Sequence, residues 1–427
     1  MESKESSSKV LVFAAACVGW IHDAFNLTII SLIAPKIVEE FGVGNFEIGL
    51  LFSGQFIATF IGALVFGSLA DRIGRKPALI FSVLWDSIIT TLSAFSPNFW
   101  FLFFTRIFSG MGVSWGVGYT LIAEVWGKKP KRRGLAGGVL HSTFVVGFVI
   151  STVVASVILP LSLPYGSWRY CFLFSLFPIP LLILFQIKMR ETEIMVEYKK
   201  TVEEQGRQIR KVPILNVFKK KEQIYFLVVS AIMLWMSQLI YHHLVDFGPY
   251  YFTLLGSEAL GRLMVLLVGM CGTISIISFG ALSDYIGRKL AFFIATIIQF
   301  VSLSVFIYSV YTDSLQGIII AYILFGLGQG NAGVQGVWLT ELFSTSERAS
   351  TASTIYSFAR GFALSGLFIG IYSDFLILSA GFSPAFAVGV AMSTAFYVCI
   401  PLLVLPWFLP ETKGKELKSI EEENLLK

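Results

Sequence analysis

The chain has 427 residues, 55% of them hydrophobic and only 14% charged, with a mean hydropathy of +0.75 and a formal charge of +5. A soluble domain carries about 25% charged residues, so this composition excludes a water-facing surface of that size. A polytopic membrane protein remains. It is all-α, because lipid offers no partner for open backbone groups and the apolar runs are too long for barrel strands.

Twelve apolar runs read as helical spans, roughly at 10–34, 47–70, 77–96, 99–123, 135–160, 168–188, 223–252, 260–282, 289–310, 314–340, 348–378 and 384–409. The polar start Met1–Lys9 leads into the first run with no small-residue cleavage site. Cys17, Cys171, Cys271 and Cys399 fall in or beside the runs without a CxxC pair and read as small buried hydrophobes.

The first span carries His22-Asp23-Ala24-Phe25-Asn26. Asp23 falls about 20 Å along the helix at 1.5 Å per residue, near midplane. An intramembrane carboxyl group is costly, and carrying a proton is a common reason for one. His22 is adjacent, and Asn26 shares the face of Asp23 at i+3. Between the second and third spans lies Gly67-Ser68-Leu69-Ala70-Asp71-Arg72-Ile73-Gly74-Arg75-Lys76. Asp86 on the third span has no obvious partner. The fourth span holds Arg106, either a partner for Asp23 or a fork to backbone carbonyls. It also holds Trp115 and Tyr119, one stripe at i and i+4, and ends at Glu124. Arg133 follows in the loop before the fifth span, which carries His141.

Met189–Glu222 is the one long polar segment, a linker that is either a surface helix or a solvated strap. It separates residues 1–188 from 223–409, and 410–427 form a tail. Gln238 and His242 share a face of the seventh span, with Asp246 beyond them. The ten-residue stretch then returns as Gly280-Ala281-Leu282-Ser283-Asp284-Tyr285-Ile286-Gly287-Arg288-Lys289, identical at seven positions. A long internal repeat implies two equivalent halves. The tenth span carries Gln329, Asn331 and Gln335, either polar lining or interhelical hydrogen bonding, and ends at Glu341. Arg348 opens the eleventh. Arg360 lies about 18 Å along it, near midplane, where a permanent cation needs an anion: Asp23 or a substrate. Asp374 is about 21 Å further along and is a poor partner.

Lysine and arginine set the topology. With the N-terminus in the cytoplasm, all of the 32 except Lys36, Arg106, Arg169, Arg262 and Arg360 fall on the cytoplasmic side. Both termini are then cytoplasmic, and the net charge calls for no nucleic acid. No GxxxxGK[ST] loop supplies ATP drive. No metal-ligand spacing and no catalytic constellation appear.

The repeated loop resembles the signature loop of the major facilitator superfamily, and its echo in the second half is typical there. Arg106-Ile107-Phe108-Ser109-Gly110 resembles that family's fourth-helix RxxxG, and Pro410-Glu411-Thr412-Lys413-Gly414 a tail motif of sugar porters. The resemblance implies two six-helix bundles rocking about a central site. It also implies a cytoplasmic gate built from Gly67, Asp71, Gly74, Arg75, Glu124, Arg133, Asp284, Arg288, Glu341 and Arg348. Tyr285 replaces Arg72 in the second copy, which predicts a thinner charge network there.

Trp20-x-x-Asp23-Ala24-Phe25 and Trp115-Gly-Val-Gly look most like the sialate and lactate:proton symporter branch. Asn26 and Val113-Ser114 stand where that branch carries carboxylates. The resemblance implies a secondary transporter in the plasma membrane, a monomer in the bilayer, not an enzyme, with no cofactor beyond a proton gradient. It would couple protons to a small organic anion, a monocarboxylate. Asp23 would carry the proton with His22 or Arg106, and Arg360 would bind the anion. Asn26, Trp115, Tyr119, Gln238 and His242 would shape the pocket. A sugar, polyol or phosphate symporter and a non-transporting receptor of the same fold are the alternatives.

Overall fold

The computed structural model describes residues 2–43, 45–112, 114–125, 132–204, 217–245, 248–344, 347–362 and 364–415. Asp246 lies outside them. Among the described residues there is helix and no strand. The helices of the first half are α1 (Glu2–Phe41), α2 (Asn45–Ile73), α3 (Arg75–Ser93), α4 (Phe99–Gly110), α5 (Trp115–Val125), α6 (Arg133–Ile158), α7 (Ser167–Leu173) and α8 (Ile179–Lys188). In the linker, α9 (Glu193–Glu204) is a helix, one of the two alternatives the sequence left open. The second half follows with α10 (Lys221–Val245), α11 (Gly248–Leu254), α12 (Glu258–Ile286), α13 (Arg288–Tyr311), α14 (Leu315–Gly328) and α15 (Gly330–Glu341). It ends with α16 (Arg348–Gly361), α17 (Ser365–Ala380), α18 (Pro384–Ser393) and α19 (Ala395–Val404).

These helices fill the twelve expected spans, but several spans are broken rather than continuous. Nine helical stretches among the described residues are long and apolar enough to cross a membrane. The fourth span is interrupted between Gly110 and Trp115, where α4 and α5 press their glycines against neighbours: a Cβ on Gly110 would meet the Gln55 backbone, and one on Gly112 would meet Asp86 and Ser82. The tenth turns at Gln329, between Gly328 and Gly330. The eleventh breaks where Leu364 adopts a left-handed conformation, φ 48°. The breaks at Gly110–Gly112 and at Gln329 line the central cavities, where irregular backbone is tolerated because it faces protein or a cavity.

Outward-facing positions carry large exposed apolar side chains, including Phe81, Trp85, Phe104, Val153, Ile274 and Phe375. That is a lipid-facing surface, and the chain is a multi-pass membrane protein. Inside, one hydrophobic cluster joins Trp20, Trp115 and Tyr119 of the first half to Val337, Trp338 and Tyr356 of the second. The halves meet along two crossings, α2 with α16 and α6 with α12. Glycine permits the closest approach in each. A Cβ on Gly67 would strike the backbone of Ser350, and one on Gly280 the backbone of Gly134 and Gly138.

Candidate functional site

The repeated loops build one end of the interface between the halves. At the end of α2, the Asp71 carboxylate reaches into the opposite half and accepts from the first amides of α16: Ala349 N–H at 3.1 Å and Ser350 N–H at 2.8 Å. Asp284, at the end of α12, does the same for α6, accepting from Gly134 N–H at 2.9 Å and Leu135 N–H at 3.0 Å. Helix N-termini present unpaired amides and the positive end of the helix dipole, so a carboxylate there is stabilised twice over.

Behind each aspartate sits an arginine one turn on. Arg75 holds Asp71 at 3.2 Å and Glu124 at 3.0 Å. Arg288 holds Asp284 at 2.8 Å and Glu341 at 3.2 Å. Each glutamate takes a second arginine from the other half: Arg348 reaches Glu124 at 3.4 Å, and Arg133 reaches Glu341 at 3.1 Å. All eight groups are buried. The sequence assigned them to one gate, and the structure brings them together as two symmetric networks. The second is not thinner than the first. Arg72 and Tyr285 are both exposed, so their exchange falls outside the network.

Two further groups complete each network: the sequence shows Glu411-Thr412 only as part of the tail motif and does not single out Glu191-Thr192. Glu191 accepts from Lys76 N–H at 3.2 Å, and Thr192 donates to Glu124 at 2.5 Å. In the second half Glu411 accepts from Arg288 N–H at 3.0 Å and Lys289 N–H at 3.2 Å, and Thr412 donates to Glu341. The signal was present as a second repeat, Glu191-Thr192 and Glu411-Thr412, one pair closing each half. Burial pushes the Glu191 carboxyl up, against its hydrogen bond from the Thr192 amide. Gly74 and Gly287 have φ of 120° and 101°, and a Cβ on either would run into the glutamate that caps the next helix.

Away from the gate, α1 supplies the buried polar core. Asp23 Oδ2 accepts from the Ser114 amide at 3.0 Å and its hydroxyl at 2.7 Å, and Oδ1 has no hydrogen-bond partner among the described residues. Arg106 is not paired with Asp23. It forks to the Asn26 carbonyl at 2.5 Å and the Thr90 hydroxyl at 3.0 Å, with its guanidinium 5.3 Å from the Phe172 ring. Asp86, left without a role by the sequence, lies at the centre of this group. Its Oδ2 accepts from Asn26 at 2.7 Å and stands 3.4 Å from His22 Nδ1, and its Oδ1 accepts from Thr90 at 3.0 Å.

Two cavities meet at Arg360. A small one of about 30 Å³ is lined by Asp23, Asn26, Asp86, Trp115, Tyr356 and Arg360. A larger one of about 150 Å³ lies between the halves and is lined by His141, Phe144, Gln238, His242, Tyr356 and Arg360, among others. Arg360 is half-buried and lies between two rings, 5.2 Å from the Phe56 centroid and 5.1 Å from Phe144. It has no salt bridge with any described carboxylate, Asp23 and Asp374 included. Trp115 stacks on Tyr356 at 3.8 Å, joining the halves beside the cavity. Tyr119 is fully buried and donates to the Gly137 carbonyl at 3.1 Å, so it packs behind the site. Gln238 and His242 share the cavity face. Asn331 is bonded to Gln299 at 2.9 Å instead, which is the interhelical role.

Two halves that repeat one motif, joined by paired charge networks about a polar centre in a multi-pass helical fold, have the layout of a membrane transporter. Residues 15–365 match the Major Facilitator Superfamily, and the chain belongs to that family. It is 24% identical to a putative metabolite transport protein of Haemophilus influenzae, over 98% of this chain and 100% of that one. It is 24% identical to a probable 4-methylmuconolactone transporter of Cupriavidus pinatubonensis, over 96% and 92%, and 28% identical to the sialic acid transporter NanX of Escherichia coli, over 80% and 82%. Among solved structures, the proton:xylose symporter XylE bound to 6-bromo-6-deoxy-D-glucose superposes with a TM-score of 0.80 at 17% identity, covering 98% of this chain and 99% of that one.

Proposed function

We propose that the chain is a proton-coupled symporter of a small organic anion, a monocarboxylate, working by alternating access. The observation that carries this reading is Arg360. A guanidinium at the junction of two cavities, half-buried and with no carboxylate at salt-bridge distance among the described residues, is matched to an incoming carboxylate. Asp23, on the small cavity, has one oxygen with no hydrogen-bond partner among the described residues and is placed to take a proton as the anion arrives. The names of the sialic acid and 4-methylmuconolactone relatives support an organic-acid substrate.

The larger cavity narrows the cargo. At about 150 Å³ it holds only a small molecule, and its walls mix Phe144, Phe148, Val245 and Val268 with Ser237, Gln238, His242, Gln335 and Arg360. A small carboxylate fits this mix, with Arg360 to meet its charge and the phenylalanine and valine side chains to meet its body. In this reading residues 1–188 and 223–409 rock about the cavity, 189–222 strap them together, and the gate networks close the cytoplasmic side of the plasma membrane. The transporter acts as a monomer with both termini in the cytoplasm.

The test is uptake into proteoliposomes of benzoate, lactate, phosphate and xylose, each with and without an inward proton gradient. The reading expects gradient-driven accumulation of a carboxylate. Accumulation of xylose alone, or flux of a carboxylate indifferent to the gradient, defeats it.

A further inference from the structure

Asp86 and His22 form a titratable pair: the sequence placed His22 beside Asp23 in proton coupling but left Asp86 without a role. Asp86 comes from α3 and His22 from α1, and both are at least 95% buried. Each imidazole nitrogen faces an acceptor. Nδ1 lies 3.4 Å from the Asp86 carboxylate, and Nε2 lies 3.2 Å from the Ser175 carbonyl. A carbonyl can only accept, so a hydrogen on Nε2 is met there; an ionised carboxylate likewise only accepts, so a second hydrogen on Nδ1 is also met. The Ser87 and Ser175 hydroxyls at 3.0 Å adapt to either form, and the Asn26 amide at 3.1 Å from Nε2 also has Asp86 to donate to. The site therefore accommodates the doubly protonated ring.

Charge balance says when the ring would be protonated. The charged groups facing this core from the packed helices are Asp23, Asp86, Arg106 and Arg360, with His22 and the Tyr356 hydroxyl titratable beside them. Two carboxylates and two guanidinia cancel when His22 is neutral. An anion bound at Arg360 adds one negative charge, which one proton restores. His22, Asp23 and Asp86 each place a polar atom within 4.8 Å of the others, so a proton arriving at Asp23 from the cavity has a gap the size of one bridging water between it and the imidazole.

We propose that Asp86 is a further proton-coupling residue: with His22 it forms a second station behind Asp23, where the coupling proton resides while the anion is bound. The pair lies wholly within the first half, so it travels with that half whichever way the cavity opens. This rests on the symport reading above, deepens it, and moves the proton from a single aspartate to a three-group relay. Asp86 becomes the counter-ion that holds the imidazolium, and Arg106 reaches it through the Thr90 hydroxyl.

The test compares benzoate accumulation under a proton gradient with benzoate exchange at equal pH, in the same proteoliposomes. The ratio of accumulation to exchange should fall about tenfold in Asp86→Asn and His22→Gln, the scale of a typical coupling free energy. It should recover in part in Asp86→Glu, which keeps the carboxyl group. A wild-type ratio in Asp86→Asn overturns the assignment while leaving the symport reading intact, whereas a wild type that ignores the gradient sinks both. If benzoate is not carried, infrared titration of the purified protein in nanodiscs decides without substrate. An imidazole transition present in the wild type and lost in both His22→Gln and Asp86→Asn supports the pair, and identical titrations overturn it.

Discussion

Asp71 and Ser350 lie in opposite halves of the chain, and the Asp71 carboxylate accepts the Ser350 amide at 2.8 Å. Its counterpart Asp284 accepts the Gly134 amide at 2.9 Å. Each half therefore closes the helix that opens in the other, and the two closures relate as the loop repeats do. Both contacts cross between the halves at this end of the interface.

Removing either aspartate should open that end. Asp71→Ala leaves two helix amides and one side of Arg75 without an acceptor, a loss on the order of 3–5 kcal/mol for a broken buried pair. Ser353→Cys provides the reporter, since Ser353 on α16 is 1% exposed in the closed state. Its labelling by a water-soluble maleimide should speed up in the Asp71→Ala background, and likewise with Asp284→Ala. Arg72→Ala, at an exposed position, should not change it. Equal labelling in all three would show that the aspartates do not hold the gate.

Gly74→Ala should destabilise by about 1–3 kcal/mol, because its φ of 120° with ψ of 161° is a region that only glycine occupies readily. The added Cβ would also press on the Glu191 carboxylate that caps α3. Gly370→Ala is the control: a Cβ there meets nothing within 4 Å, and its φ is ordinary. Thermal unfolding in detergent should show a lower midpoint for the first variant only.

The parts of this molecule that could be read in advance are those whose partners are local or repeated. Asp71 with Arg75 and Asp284 with Arg288 are i, i+4 pairs inside one motif, and the motif occurs twice. Asp86 was opaque for the opposite reason. Its partners His22 and Asn26 lie some 60 residues earlier on another helix, and nothing near Asp86 in the chain reveals them. Arg106 was readable only as a choice of two roles, because whether a guanidinium meets a carboxylate or a carbonyl depends on how α1 and α4 are rotated. The span breaks at Gly110–Trp115 and Leu364 were missed because hydropathy is indifferent to a kink that backbone packing imposes.

Asp23→Asn should uncouple. The amide keeps an oxygen for the Ser114 donors, 3.0 and 2.7 Å away, so the fold is preserved, but it cannot take a proton. Accumulation driven by a proton gradient should fall to the level reached at equal pH, while exchange of internal for external substrate stays measurable. Full accumulation by Asp23→Asn would remove this residue from the proton path.

Arg360→Lys tests the anion site with the charge retained. The guanidinium is held between the Phe56 and Phe144 rings, and its planar fork can give a carboxylate two parallel hydrogen bonds. A lysine ammonium is a point charge on a shorter reach and cannot reproduce that geometry. One lost charge-assisted bond is worth about 1.5–3 kcal/mol, so the apparent KM for a carboxylate should rise roughly tenfold to a hundredfold. Arg360→Gln should raise it further. The substitution should act on binding more than on turnover, because the gate networks hold no contact with Arg360 among the described residues. An unchanged KM in Arg360→Lys, with wild-type uptake, would place the anion elsewhere in the cavity and leave Arg360 a structural cation between two rings.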